Sequence, residues 1–253
     1  MKILFVSGEV TPFTRVTPLA DLVRTLPDVL NEQGTYEIRI MMPRYGTISE
    51  RKNRLHEVIR LSGTSIQVGT RSDSFTVKVA SIPGIRLQVY FMDNNHYFKR
   101  KGVFADKEGK IFTDNEERAL YFGHAALQTT KNLGWRPEVI HAAGQMSALV
   151  PYLVRTQYQN DVLFEQSRIV YTPDKSPISL KISPEKAKVL QIQQEAVIDA
   201  PFNTLGSHYA DATAYHGEAP ENALVESLVF EEDKTILLDK AMTLYTNLTS
   251  VLA

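Results

Sequence analysis

Hydrophobic and polar positions along this chain follow two rhythms. Residues 3–6 form a continuous apolar run, as expected of a parallel strand buried on both faces. Apolar residues then recur at helical spacing: Leu19, Leu22, Val23, Leu26 and Leu30. Thr17 is placed to cap that helix and Pro18 to open its first turn. Pro27 falls inside the stripe and predicts a kink, and Gly34 marks the stop. Residues 36–42 predict a second strand, closed by Pro43. Two alternating segments, 75–79 and 85–91, flank Pro83-Gly84, which suits the centre of a type II turn, so a hairpin is expected there.

Beyond the hairpin, residues 93–112 read as a long loop. Thr113-Asp114-Asn115-Glu116 has the form of a capping box opening a helix that carries Ala119, Leu120, Gly123, Leu127 and Leu133 and stops at Gly134. A short strand at 139–141, a helix at 146–158 and a strand at 168–171 follow. Residues 44–61 and 172–205 are weakly patterned, apart from a short helix announced by Ser183-Pro184-Glu185. Residues 210–215 predict a last strand. Residues 231–252 predict a C-terminal helix with Leu237, Ala241, Leu244, Leu248 and Val251 on one face. That seam must bury itself on its own domain or on another chain. No repeat, low-complexity tract or flexible linker interrupts the pattern. The expectation is a single α/β domain over residues 1–253, mainly parallel, with an inserted antiparallel hairpin and a C-terminal helix.

Composition narrows the function classes. With 253 residues, 43% apolar and 23% charged, the chain is an ordinary globular sequence. A formal charge of -1 gives no electrostatic case for nucleic acid or an anionic membrane. No apolar run is long enough to span a bilayer or to serve as a signal-peptide core. The absence of cysteine excludes disulfides, thiolate catalysis and zinc-thiolate sites, and fits a cytoplasmic setting. His56, His96, His124, His208 and His216 lack metal-binding spacing, so neither a metal nor a cofactor is called for. Lys99-Arg100-Lys101 reads as a solvated basic loop.

Several segments in order resemble the glycogen and starch synthases. The opening strand, Ser7-Gly8-Glu9-Val10-Thr11-Pro12-Phe13 and Leu19-Ala20-Asp21 match the first strand-loop-helix of that family. Pro43-Arg44-Tyr45-Gly46, the loop at 97–104, Asp114-Asn115 with Arg118, residues 135–142 and Gly206-Ser207-His208-Tyr209-Ala210-Asp211 match further family segments. The resemblance implies a Rossmann-like domain, the first of the two that face each other in GT-B glycosyltransferases. It covers most of this chain and only that first domain. In the family, the second domain supplies most of the sugar-nucleotide site.

The family's polar positions are altered. Its donor-loop lysine is Arg15, the next residue is Val16, and its two glycines are Thr17 and Pro18. Arg15 can still meet a phosphate, with different reach. Thr17 lacks the backbone freedom of glycine, and Pro18 has no N–H to offer an anion. Where the family carries His-x-His-Asp-Trp, this chain has His141-Ala142-Ala143-Gly144-Gln145. Alanine at 143 can neither bind a hydroxyl nor move a proton. His141 is kept near the end of a strand, where open α/β sheets bind ligands. Glu9, which the resemblance places at the cleft mouth, is also kept. The family's polar set after Thr172 is replaced by Pro173-Asp174.

Two functions are weighed. One is a synthase-like domain without glucosyl transfer of its own, a pseudoenzyme keeping the scaffold for ligand binding, assembly or regulation, with a homodimer as one form of assembly. The other is half of a split glucosyltransferase that moves glucose from ADP-glucose to an α-glucan with a separately encoded second domain. In the second case Arg15, Glu9 and His141 line the cleft.

Overall fold

The computed structural model describes residues 1–219 and 228–250. Strands run in order β1 (Lys2–Ser7), β2 (Glu37–Pro43), β3 (His56–Glu57), β4 (Ser65–Val68), β5 (Arg71–Ser74), β6 (Thr76–Ser81), β7 (Gln88–Asp93), β8 (Val139–Ala143), β9 (Arg168–Thr172), β10 (Ala212–His216) and β11 (Leu228–Phe230). Helices are α1 (Leu19–Asn31), α2 (Glu50–Asn53), α3 (Asn95–Phe98), α4 (Asn115–Asn132), α5 (Leu149–Thr156), α6 (Pro184–Leu190), α7 (Phe202–His208) and α8 (Lys234–Ser250).

Nine strands form one sheet in the order β11-β10-β9-β8-β1-β2-β7-β6-β3. All neighbours from β11 to β7 are parallel, while β6 and β3 join antiparallel. This is the expected mainly parallel α/β architecture. The central strands are apolar on both faces, so β1 and β8 are buried along almost their whole length. From β1 the chain works outward through β2 to β7, then returns to lay β8 on the other side of β1. The sheet order therefore reverses between β1 and β8, which makes their carboxyl ends the crevice of the fold.

The hairpin forms as expected, with β6 and β7 paired from Thr76↔Asp93 to Ser81↔Gln88. Ile85 donates to the Ile82 carbonyl at 3.3 Å across Pro83-Gly84. The capping box does not form. The Asp114 carboxylate leaves the helix end to make a bidentate pair with Arg100. Arg100 is thus a strut between the 93–112 loop and α4, unlike the solvated basic loop expected. Arg118, fully buried, donates to the carbonyls of Tyr97 and Val103 and fastens the same loop.

The C-terminal helix packs on its own chain. Leu237, Ala241 and Tyr245 are its buried stripe, with Leu244 and Leu248 partly buried. Val251, expected on this face, lies outside the described residues. α8 lies against α1 on one face of the sheet, and α4, α5 and α7 pack together on the other. The Tyr245 hydroxyl meets His141 Nδ1 at 2.7 Å, so the helix is pinned by a polar contact inside an apolar seam. Truncating Tyr245→Ala should cost about 3–5 kcal/mol, and Tyr245→Phe about 1 kcal/mol, in urea unfolding followed by far-UV circular dichroism.

Candidate functional site

The loop leaving β1 turns back through residues 14–18 before α1 begins at Leu19. Glu9 gathers that turn. Its carboxylate accepts from the Val16 amide at 2.6 Å, the Thr17 amide at 2.7 Å and the Thr17 hydroxyl at 2.6 Å. Thr17 also accepts from the Leu19 amide at 3.2 Å, and Pro18 is already in helical conformation, much as the sequence suggests. Burial pushes the Glu9 carboxyl above its ordinary value, and the bonds from Thr17 and Val16 pull it back down. The amides of the segment leading into α1 are thus held by an anion from the same chain.

The other wall of the crevice is a second internal network. Gln145, at the family's tryptophan position, donates its amide to Asp174 Oδ2 at 2.9 Å. Its side chain donates to Asp174 Oδ1 at 3.0 Å and to the Ile178 carbonyl at 2.7 Å, and accepts from the Leu180 amide at 2.7 Å. Gly144 stands at φ +78° with Asp174 Oδ2 3.2 Å from where a Cβ would lie. An aspartate at 144 would therefore meet both strained backbone and a like charge. Gly8 faces Met146 so closely that an added Cβ would sit 2.5 Å from the methionine Cβ.

What remains between these walls is a cavity of about 10 Å³ lined by Glu9, Val16, Ala143, Gly144, Gln145 and Asp174, among others. That is room for about one water. Two wider depressions flank it. One of about 330 Å³ is lined by Arg15, Asp21, His216 and Glu231, and one of about 500 Å³ by Asp174, Lys175, Asn203 and Tyr215.

The structure separates the three candidate ligand-binding residues. Glu9 is in the crevice wall. Arg15 is 63% exposed and pairs with Asp21 at 2.8 Å on the outside of α1. His141 is buried beneath α8, bonded to Tyr245 and, at 2.7 Å, to the Thr172 hydroxyl. Burial holds its ring neutral, with a pKa pushed down to about 3. Asp174 and Tyr245 were not singled out from the sequence. Tyr245 follows Leu237 and Ala241 at intervals of four, and that periodicity was available. The contact between Asp174 and Gln145 joins residues far apart in sequence and had no local signal. Among the described residues, no group of three or more histidines and carboxylates is arranged to hold a metal.

With this geometry in hand, comparison with known proteins places the chain. The starch synthase catalytic domain family matches residues 2–197. The chain belongs to that family. It is 41% identical over 172 residues to a glycogen synthase of Pelodictyon phaeoclathratiforme, covering 68% of this chain and 35% of that protein. A glycogen synthase of Chlorobium luteolum is 42% identical over the same length. The chain therefore spans about a third of these relatives. Among solved structures, the catalytic domain of starch synthase IV from Arabidopsis thaliana, bound to ADP and acarbose, superposes with a TM-score of 0.69 at 17% identity. That match covers 84% of this chain and 44% of that one, and it establishes the shared fold.

The buried histidine sets a pH dependence. An unfolded histidine titrates near 6.5, whereas His141 in the fold resists protonation to about pH 3. As pH falls through 6.5, the unfolded chain takes up a proton that the folded chain refuses. Stability from this group is intact above about pH 6.5 and is lost on acidification, at up to about 1.4 kcal/mol per unit. His124, held at about 4 by burial, adds to the slope. Urea unfolding of His141→Gln between about pH 6 and pH 4 should show a visibly flatter decline than the parent chain.

Proposed function

We propose that this chain is a synthase-type domain that does not transfer glucosyl units by itself and keeps the scaffold for ligand binding, assembly or regulation in the cytoplasm. The observation that carries this reading is the crevice at the β1–β8 switch point. Ligand pockets for nucleotide-sized molecules run to about 300–1,000 Å³. Between Glu9 and Gln145 about 10 Å³ remains, and the Val16 and Thr17 amides that would meet a phosphate are taken by Glu9. Pro18 and Ala143 remove two further polar contacts at the same place.

The other reading, a split enzyme using ADP-glucose, rests on Arg15. Among the described residues its exposed guanidinium is tied only to a partly exposed carboxylate, a weak surface pair that a phosphate could displace. A separately encoded second domain would then face the carboxyl edge of the sheet.

Calorimetric titration with ADP-glucose and ADP separates the two. The expected outcome is no saturable binding of either nucleotide and no glucan elongation by the chain alone. Saturable ADP-glucose binding abolished by Arg15→Ala, or measurable elongation, would overturn the reading.

A further inference from the structure

The two ends of the nine-stranded sheet carry opposite charge. β3 is its last strand on one side and β11 on the other. Around β3, residues 51–60 hold Arg51, Lys52, Arg54 and Arg60 against one acid, Glu57, and all five are exposed. Ile59, among them, is 82% exposed. Beside β11 the balance reverses. Residues 231–240 hold Glu231, Glu232, Asp233 and Asp239, all exposed, against Lys234 and Lys240. Lys240 is committed to Glu231 at 2.6 Å. Ile236 and Met242 add exposed apolar surface on α8. Among the described residues, neither the four cations nor Glu232, Asp233 and Asp239 form an ion pair.

These two groups of charges cannot answer each other within one molecule. Eight inter-strand steps of about 4.8 Å put β3 about 38 Å from β11 along the sheet. Screening at physiological salt acts over about 8 Å. Pairing either edge with the same edge of another copy would bring like charges together, which is how edge strands ordinarily resist association. Pairing it with the opposite edge of another copy brings cations to carboxylates, and each side also offers exposed apolar surface. We propose that this chain associates with copies of itself head to tail, the basic β3 edge of one copy against the acidic β11 edge of the next. Such a contact uses two different surfaces, so every added copy leaves one edge of each kind open. Association then runs on to higher oligomers and does not stop at a two-fold dimer. The crevice takes no part in it, so the proposal stands whether or not the chain binds a nucleotide.

The test is sedimentation velocity of the full chain over a wide range of protein concentration, at about 20 mM and about 500 mM salt. At low salt the average mass should climb with concentration past that of a dimer, and at high salt it should fall to the monomer. Two charge-reversed variants change exposed side chains outside the core, and circular dichroism checks that both stay folded. Lys52→Glu with Arg60→Glu reverses the basic edge, and Glu232→Lys with Asp239→Lys reverses the acidic one. Each alone should weaken self-association by about tenfold or more at low salt. An equimolar mixture of the two should associate again, because each variant's altered edge now complements the other's. A monomer at every concentration in low salt would overturn the proposal. So would a mass that levels off at the dimer, association that persists at high salt or ignores both reversals, or a mixture that stays monomeric.

Discussion

The carboxylate of Glu9 sits on the amides of Val16 and Thr17, just ahead of α1, and the surroundings of the crevice are arranged about that contact. Successive backbone N–H groups near the positive end of a helix dipole attract whatever anion is within reach. In this chain the anion is covalently part of the loop before the helix, only seven residues from Val16. A tethered carboxylate competes with a free phosphate at high effective concentration. The three bonds it accepts also offset part of the cost of burying it.

The remaining substitutions fit the same logic, in which internal partners stand where a ligand would need to be met. Asp174 is held by the Gln145 amide and side chain, which also draw in the 178–180 segment through Ile178 and Leu180. Gly144 accepts the backbone conformation this requires and leaves space for the Asp174 carboxylate. On the far side of β8, His141 is turned toward α8 and spends both ring nitrogens on Tyr245 and Thr172. A ring with both nitrogens bonded, buried and neutral, serves as a hinge pin for the C-terminal helix. The proposed lack of unaided transfer follows from this closure.

Much of the fold was legible because burial in a parallel sheet leaves a strong imprint. The apolar runs of β1 and β8, the 3.6-residue stripe of α1 and the turn at Pro83-Gly84 all correspond to observed elements. Elements without such an imprint were missed. β4 has four residues, β5 is short and polar, β11 has three residues, and α7 breaks its pattern with Gly206 where the helix crosses Tyr171. The capping box at 113–116 shows a different failure. The helix begins after Asp114, one residue later than a Thr113 cap requires, and the Asp114 carboxylate pairs with Arg100, brought in by the fold, in place of the helix amides. The site followed the same division. The sequence marked Glu9, Arg15, His141 and the altered positions 143–145. It could not say that they lie in three separate environments, because that depends on α8 covering His141 and on the side of α1 from which Arg15 projects.

Backbone amide hydrogen exchange at Val16, Thr17 and Gln145 probes the closure most directly, since these amides donate to Glu9 and Asp174. With the crevice closed from within, all three should exchange slowly in the free chain, and their rates should be unchanged by millimolar ADP-glucose. Rapid exchange in the free chain, or protection that appears only when ADP-glucose is added, would contradict an internally satisfied crevice and favour an open donor site.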